Sequence, residues 1–79
     1  MSKLPQLITT KNCPKCKLIK EYMSQRNFTY EVLEAKKNMK LCRNLGILIA
    51  PTMLVHHEDE IEQLIGFEAI QKFVDKYDK

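Results

Sequence analysis

The sequence predicts an α/β fold: a four-stranded mixed sheet flanked by three helices, in the order β-α-β-α-β-β-α. Two observations predict this order. Short apolar runs alternate with segments of helical periodicity, which indicates parallel strands joined by a right-handed crossover. Two later strand patterns lie close together around an acidic loop, which indicates an antiparallel hairpin. A chain of 79 residues has room for one small core, so residues 1–79 are expected to form one domain.

The first strand and helix meet near residue 10. Residues 4–9 form a short apolar run, in which Pro5 belongs at the start because proline cannot donate to a sheet ladder. A helix is expected from Pro14 to about Gln25, because residues 17–26 contain no further Gly or Pro. Its apolar side chains recur at helical spacing at Leu18, Ile19, Tyr22 and Met23.

The next two elements are a strand and a helix. In residues 28–34, apolar and polar side chains alternate with period two, and the acidic outer positions favour an edge strand. Residues 36–45 predict a helix that ends at Gly46, which suits a left-handed cap. One face of this helix carries Met39, Leu41, Cys42 and Leu45.

The C-terminal half predicts a hairpin and a helix. Residues 53–56 and 60–65 are strand patterns around a loop at Glu58 and Asp59. His56 and His57 are expected in a solvated turn rather than as a ligand pair, because adjacent strand residues point to opposite faces. Residues 68–77 show the clearest amphipathic helix, with an apolar stripe at Ile70, Phe73, Val74 and Tyr77.

Composition excludes several classes of function. With 44% hydrophobic and 29% charged residues, the chain is typical of a soluble globular protein. The net charge of +3 is spread along the sequence, so it gives no reason to expect a nucleic-acid partner. We find no apolar run of signal-peptide or membrane-spanning length. Three cysteines, an odd number, fit a reducing compartment, so a cytoplasmic protein is expected.

The only cluster of reactive side chains is the sequence Cys13-Pro14-Lys15-Cys16. Proline suits the first helical turn, so Cys13 is expected to cap the helix with its sulfur over unpaired N–H groups. The helix dipole and three nearby cations should lower the pKa of Cys13 below the free value of about 8.5. These cations are Lys11, Lys15 and Lys17. Cys13 is therefore the expected nucleophile, and Cys16, one turn away, the expected resolving thiol.

Other interpretations of the cysteines remain open. Cys13 and Cys16, with Cys42, are candidate ligands of a small metal or iron–sulfur module, although neither Cys42 nor the histidines provide a second Cys-x-x-Cys. Cys42 lies on an apolar stripe, which favours a buried structural residue over a secondary thiol open to oxidation or glutathionylation. An inactive adaptor that keeps the fold only for binding is a third interpretation, which the intact cysteine pair disfavours.

Three motifs together resemble the thioredoxin fold in its smallest form. They are the C-x-x-C that opens the first helix, Ala50-Pro51-Thr52 before a strand, and Gly66 before the last helix. The first is similar to the C-P-Y-C of dithiol glutaredoxins, with Lys15 where Tyr would stand. The resemblance implies a dithiol–disulfide oxidoreductase and electron carrier. It also implies a cis Ala50–Pro51 bond beside the thiols that exposes the Ala50 backbone to an extended substrate.

The resemblance leaves the sub-class open between two groups. Glutaredoxins that use glutathione usually carry Gly-Gly and an acidic residue before the last helix, whereas this chain has Gly66-Phe67-Glu68. Gly66-Phe67 resembles the Ser-Gly-Phe of redoxins that supply ribonucleotide reductase and are reduced by thioredoxin reductase. If glutathione is the co-substrate, Lys11 and Glu68 are expected to hold its two ends and Thr52 its backbone. Protein or small-molecule disulfides are the expected substrates, and Pro14 and Lys15 are expected to contact them. The chain is expected to be a monomer without a tightly bound cofactor or membrane partner.

Overall fold

The computed structural model describes residues 4–77, except for the side chain of Tyr77. The predicted order of elements is confirmed, with a 3-10 turn preceding the second helix. The elements are β1 (Gln6–Thr9), α1 (Pro14–Gln25), β2 (Glu31–Glu34), a 3-10 turn (Ala35–Asn38), α2 (Met39–Leu45), β3 (Thr52–His56), β4 (Ile61–Ile65) and α3 (Phe67–Tyr77). The four strands lie in the order β2-β1-β3-β4. β1 pairs parallel to β2 and antiparallel to β3, and β3 pairs antiparallel to β4.

The two central strands divide the core between the two faces of the sheet. Leu7 and Met53 are fully buried on the face covered by α1 and α3, together with Ile19, Met23, Ile70 and Val74. Their chain neighbours Ile8 and Leu54 point to the opposite face and pack with Cys42 of α2. β1 and β3 are therefore buried on both sides, and their loops at one end of the sheet are held in fixed positions.

The first two strands are shorter than predicted. β1 begins after Pro5, whose carbonyl oxygen accepts a hydrogen bond from Glu31 N at 2.8 Å. β2 begins only at Glu31, and the predicted strand residues Phe28 and Tyr30 instead pack against the core from the connecting segment. β2 is an edge strand as predicted, and because it is an edge its Val32 is exposed rather than inward.

The predicted helix at residues 36–45 starts as a 3-10 turn and becomes α-helical only at Met39. Met39 is exposed, in contrast to its predicted place on the apolar face. Leu41, Leu45 and the buried Cys42 do face the core. Gly46 ends the helix with φ 68°, a left-handed conformation that suits glycine, so the predicted stop is confirmed.

The hairpin and last helix also match their predictions. His57 N donates to the Glu60 carbonyl oxygen at 2.9 Å and closes the hairpin loop. His56, predicted in a solvated turn, is instead the half-buried last residue of β3, because the strand extends to it, and it contacts Gln6 Oε1 at 2.7 Å. His57 is exposed in the loop as predicted and contacts Glu62 Oε1 at 2.9 Å. The histidines therefore have separate partners. In α3 the buried stripe includes Ile70 and Val74, with Phe73 partly buried; Tyr77, predicted on the same stripe, has its side chain outside the described part.

Replacing Leu54 with Ala should lower the free energy of unfolding by about 2–5 kcal/mol, because it removes buried methyl groups and leaves a cavity. Leu54 is fully buried between β1, β4 and α2. Urea denaturation followed by circular dichroism measures the change. Leu48→Ala is the matched control, since Leu48 is 94% exposed and its truncation should cost less than about 0.5 kcal/mol. Equal losses in the two variants would contradict this description of the core.

A polar contact joins α1 to α3 at the surface. Tyr22 donates a short hydrogen bond from its hydroxyl to Asp75, and the Arg26 guanidinium lies over the Tyr22 ring at 3.7 Å from its centroid. Arg26 Nε also lies 3.5 Å from Asp75 Oδ1. The hydrogen bond to Asp75 is the main cause that raises the pKa of Tyr22 above its ordinary value of 10.0.

The contribution of Tyr22 to stability should therefore disappear in alkali. Because the folded state raises the pKa of Tyr22, its contribution is complete below the unfolded value of about 10 and is lost as the pH rises through the folded value. We expect Tyr22→Phe to lower the urea midpoint at pH 7 and to differ less from the parent protein above pH 10. A midpoint difference that stays constant between pH 7 and pH 11 would contradict this account of the contact.

Candidate active site

The loop between β1 and α1 places Cys13 at the tip of the helix. Asn12 has φ 57°, a left-handed conformation that asparagine tolerates better than most residues, and it turns the chain from the sheet into the helix. Cys13 is the N-cap in an extended conformation, and Pro14 begins the first turn. Cys13 Sγ accepts a hydrogen bond from Cys16 N at 3.1 Å. The predicted capping position is confirmed.

Cys13 and Cys16 form a disulfide, with their Cα atoms 5.2 Å apart. The two sulfurs differ in access, because Cys13 is half-buried whereas Cys16 is 3% exposed. A substrate can therefore reach the first sulfur more readily than the second. After reduction, the Cys16 N–H and the positive end of the helix favour a thiolate at Cys13.

The Ala50–Pro51 peptide bond is cis, as the resemblance implied. The Ala50 carbonyl oxygen lies 3.9 Å from Cys13 Sγ, so the loop before β3 borders the disulfide. Two hydrogen bonds hold this loop: Gly66 N donates to the Pro51 carbonyl oxygen at 2.9 Å, and Thr52 Oγ1 donates to the Ile49 carbonyl oxygen at 2.5 Å. The Thr52 side chain, 1% exposed, therefore positions the loop.

The remaining predicted site residues surround this centre without touching the sulfurs in the described contacts. Gly66 links β4 to α3 with φ 91°, a conformation that favours glycine. Phe67 is half-buried and packs edge-on against Tyr22, with ring centroids 6.4 Å apart. Glu68 lies exposed in the first turn of α3. Lys11 and Lys15 are exposed, and Lys11 borders a separate cavity of about 240 Å³ with Glu34 and Lys36.

An open cleft of about 630 Å³ runs from the disulfide along α1. Its lining residues are Thr10, Asn12, Cys13, Pro14, Cys16, Lys17 and Lys20. Sequence reasoning had not singled out Lys20. The signal that identifies it is spacing, because Lys20 lies seven residues after Cys13 and shares a helix face with it.

A second hollow, of about 140 Å³, lies beside the loop that leads to Pro51. Its lining is mostly apolar and includes Leu48, which is 94% exposed, and Ile65 of β4. Gln63 Nε2 donates to the Leu45 carbonyl oxygen at 2.8 Å and anchors the start of the loop. No single segment of the sequence indicates this hollow, because its lining combines the loop after α2 with residues of β3 and β4.

The structure does not support the metal-binding alternative. Within residues 4–77, no group of three or more His, Cys, Asp or Glu side chains is arranged to hold a metal ion. Cys42, on the inner face of α2, is buried with Ile8 and Leu54 of the sheet, as the structural interpretation of this residue predicted. Among the residues described, no helix has the length and apolar character needed to cross a membrane.

Comparison with known proteins identifies the fold. No protein-family model and no curated protein sequence matches the chain. Oxidised thioredoxin from Plasmodium falciparum superposes with a TM-score of 0.72 at 17% identity, covering 95% of this chain and 80% of that one. Malassezia sympodialis thioredoxin (Mala s 13) gives 0.71 at 13% identity, covering 99% and 80%. The thioredoxin-like protein BC3987 gives 0.64 at 24% identity, covering 86% and 96%.

These similarities define a thioredoxin-like fold that carries a C-x-x-C disulfide at the tip of its first helix. At such identities the likeness is one of architecture, so the chemistry has to be argued from the site itself.

Proposed function

We propose that the protein is a thiol–disulfide oxidoreductase that reduces disulfides through Cys13 and Cys16. One observation carries the proposal: an accessible sulfur at a helix tip is bonded to a shielded sulfur one turn away. The closed disulfide is the oxidised state of the pair, and opening it provides two thiols with different access. This difference in access assigns attack to Cys13 and resolution to Cys16.

The reaction balances as two thiol–disulfide exchanges. The Cys13 thiolate attacks one sulfur of the substrate disulfide, that S–S bond breaks, and the departing thiolate takes up a proton. The Cys16 thiol loses its proton and attacks Cys13 Sγ, which breaks the mixed disulfide and releases the second substrate thiol. Two electrons pass from the dithiol to the substrate, and the Cys13–Cys16 disulfide is formed.

The loop before β3 suits an extended polypeptide as substrate. Ala50 borders Cys13 immediately before the first residues of β3, and its carbonyl oxygen faces the disulfide. A substrate segment that lies along this loop would present its cysteine to Cys13 and pair with backbone rather than with side chains. Pro14 and Lys15 are exposed beside the same sulfur and form the rim of the contact. Disulfide-containing proteins are therefore the proposed substrates.

The proposed reductant is either glutathione or a thioredoxin reductase, with the protein acting as a cytoplasmic, monomeric electron carrier without a tightly bound cofactor. For glutathione, Lys11 and Glu68 are exposed residues of opposite charge, in the loop before α1 and in the first turn of α3. For thioredoxin reductase, Gly66-Phe67 resembles the Ser-Gly-Phe stretch of the redoxins that supply ribonucleotide reductase. Ribonucleotide reductase is then a proposed substrate. The favoured sub-class is the glutaredoxin-like redoxins, in a broad sense that includes either reductant.

A coupled assay that follows NADPH oxidation tests the function and distinguishes the reductants. One arm contains glutathione and its reductase, the other thioredoxin reductase alone, and both contain a protein disulfide as the terminal acceptor. We expect turnover in at least one arm, and the arm that turns over identifies the sub-class. In parallel, intact mass should fall by two hydrogens when the reduced protein is oxidised. Stoichiometric bound zinc or iron together with no turnover in either arm would overturn the proposal.

A further inference from the structure

The cleft along α1 joins the disulfide to two lysines on one helix face. Lys17 N donates to the Cys13 carbonyl oxygen at 3.2 Å, which places Lys17 one turn above Cys13, and Lys20 follows three residues later. Residues spaced by three or four positions lie over one another on a helix. Lys17 and Lys20 therefore follow one another along the helix face that leads away from Cys13, and all three residues line the cleft.

The positive charge of this cleft is uncompensated. No acidic residue belongs to its lining, and within residues 4–77 neither Lys17 nor Lys20 forms an ion pair. Glu21 follows Lys20 on the same helix, but it lies outside the cleft and pairs with neither lysine. A concave site with charge of one sign concentrates the field and attracts groups of the opposite sign.

Distances along the helix indicate which part of a partner the lysines would contact. At 1.5 Å per residue, Lys17 and Lys20 lie about 6 Å and about 10 Å beyond Cys13. An extended peptide rises about 3.3 Å per residue, so these distances correspond to about two and three residues of substrate. A lysine side chain is flexible, which extends the reach by about one more residue. The contacted positions are then two to four residues from the cysteine bonded to Cys13.

We propose that the Lys17–Lys20 cleft is a specificity site for protein disulfides whose cysteine is flanked, two to four residues away, by Asp or Glu. This inference rests on the proposed function, because it is the mixed disulfide with Cys13 that holds the acidic segment against the lysines. Carboxylates paired with Lys17 and Lys20 favour encounter and orient the segment along α1, so selection is for acidic substrate proteins over neutral and basic ones.

Matched peptide disulfides test the specificity. The peptides differ only at the positions two to four residues from the cysteine, where each peptide carries Glu, Ser or Lys. In one set these positions precede the cysteine, and in the other set they follow it. Reduction is followed at low ionic strength, and each rate is divided by the rate with dithiothreitol, which corrects for the intrinsic reactivity of each disulfide. In at least one set we expect kcat/KM for the Glu peptide to exceed that for the Ser peptide by roughly three- to tenfold, with the Lys peptide slowest. The preference should fade at about 0.5 M salt, because exposed charges are screened.

The variant Lys17→Glu/Lys20→Glu should lose or reverse the preference for the Glu peptide. The control Lys72→Glu/Lys76→Glu makes the same change in net charge on exposed residues of α3 and should keep the preference. The readout is the kcat/KM for the Glu peptide divided by that for the Ser peptide. Lys17 also influences the Cys13 thiolate, but that effect is the same for both peptides and cancels in the ratio. Equal reduction of Glu and Ser peptides by the parent protein, or an unchanged ratio in Lys17→Glu/Lys20→Glu, would overturn the inference. Absence of reduction with every peptide would instead refute the proposed oxidoreductase function.

Discussion

Replacing Cys13 with Ser is expected to abolish disulfide reduction. A serine hydroxyl stays protonated at neutral pH and cannot form the mixed disulfide, so neither exchange step can begin. The buried Cys16 does not replace it, because only 3% of its surface is exposed and a substrate cannot approach its sulfur. In the coupled NADPH assay with a protein disulfide, the rate with this variant should equal the background rate of the same mixture without the variant.

The control for this variant is Cys42→Ala. Cys42 is the free thiol among the described residues and packs from α2 against Ile8 and Leu54, so its removal affects packing but none of the proposed exchange steps. We expect Cys42→Ala to retain reduction once its folding is confirmed by circular dichroism. If Cys13→Ser keeps activity and loses it only when Cys42 is also replaced, then Cys42, and not Cys13, is the nucleophile.

Replacing Cys16 with Ser is expected to stop the reaction at the mixed disulfide. Cys13 keeps its place at the helix tip and still attacks, but no second thiol is available to displace the product. In buffer without glutathione or other added thiols, the Cys13 thiolate of the variant should attack a symmetric peptide disulfide, keep one peptide as a mixed disulfide and release the other as a thiol. Intact mass would show this as one added peptide per protein, removed again by dithiothreitol.

The double variant Cys13→Ser/Cys16→Ser provides the matched control, because it should add no peptide under the same conditions. Multiple turnovers by Cys16→Ser on protein disulfides in thiol-free buffer would refute the two-thiol mechanism. Addition of peptide to Cys42 in either variant, found by peptide mapping, would show that the core opens on the timescale of the assay.

The order and type of the elements could be predicted because each has a strong local signal. Cys13, Pro14 and Cys16 mark the helix start, Gly46 marks a helix end, and Ile70 and Val74 mark a buried stripe; the structure confirms all of them. These signals depend on short-range geometry, such as the missing N–H of proline or the spacing of apolar side chains on a helix.

The errors come from residues whose environment is set by distant parts of the chain. Val32 fits an alternating strand but is exposed, because among residues 4–77 β2 is an edge strand with a neighbouring strand on one side only. Met39 fits a helical stripe but is exposed, because a 3-10 turn precedes it and the regular helix begins only there. Phe28 and Tyr30 alternate as in a strand, yet they pack against the core before pairing with β1 begins.

The candidate site was predictable in its chemistry and less so in its surroundings. The cysteine pair and its place at the helix start were predictable from four consecutive residues, and the roles of Cys13 and Cys16 stay predictions. The cleft of Lys17 and Lys20 and the hollow at Leu48 depend on how α1 and the loop before β3 lie beside the sulfurs, which no single segment encodes.

The burial of Cys42 limits how many oxidising equivalents one molecule can accept. Cys42 lies in the core between α2 and the sheet, whereas Cys13 is half-buried at the helix tip, so peroxides and foreign disulfides reach the Cys13–Cys16 pair more readily than Cys42. Under the proposed function, each molecule then exchanges two electrons through one disulfide. A third thiol at the surface would form disulfides between molecules; placed in the interior, Cys42 leaves the Cys13–Cys16 pair to alternate between one dithiol and one disulfide.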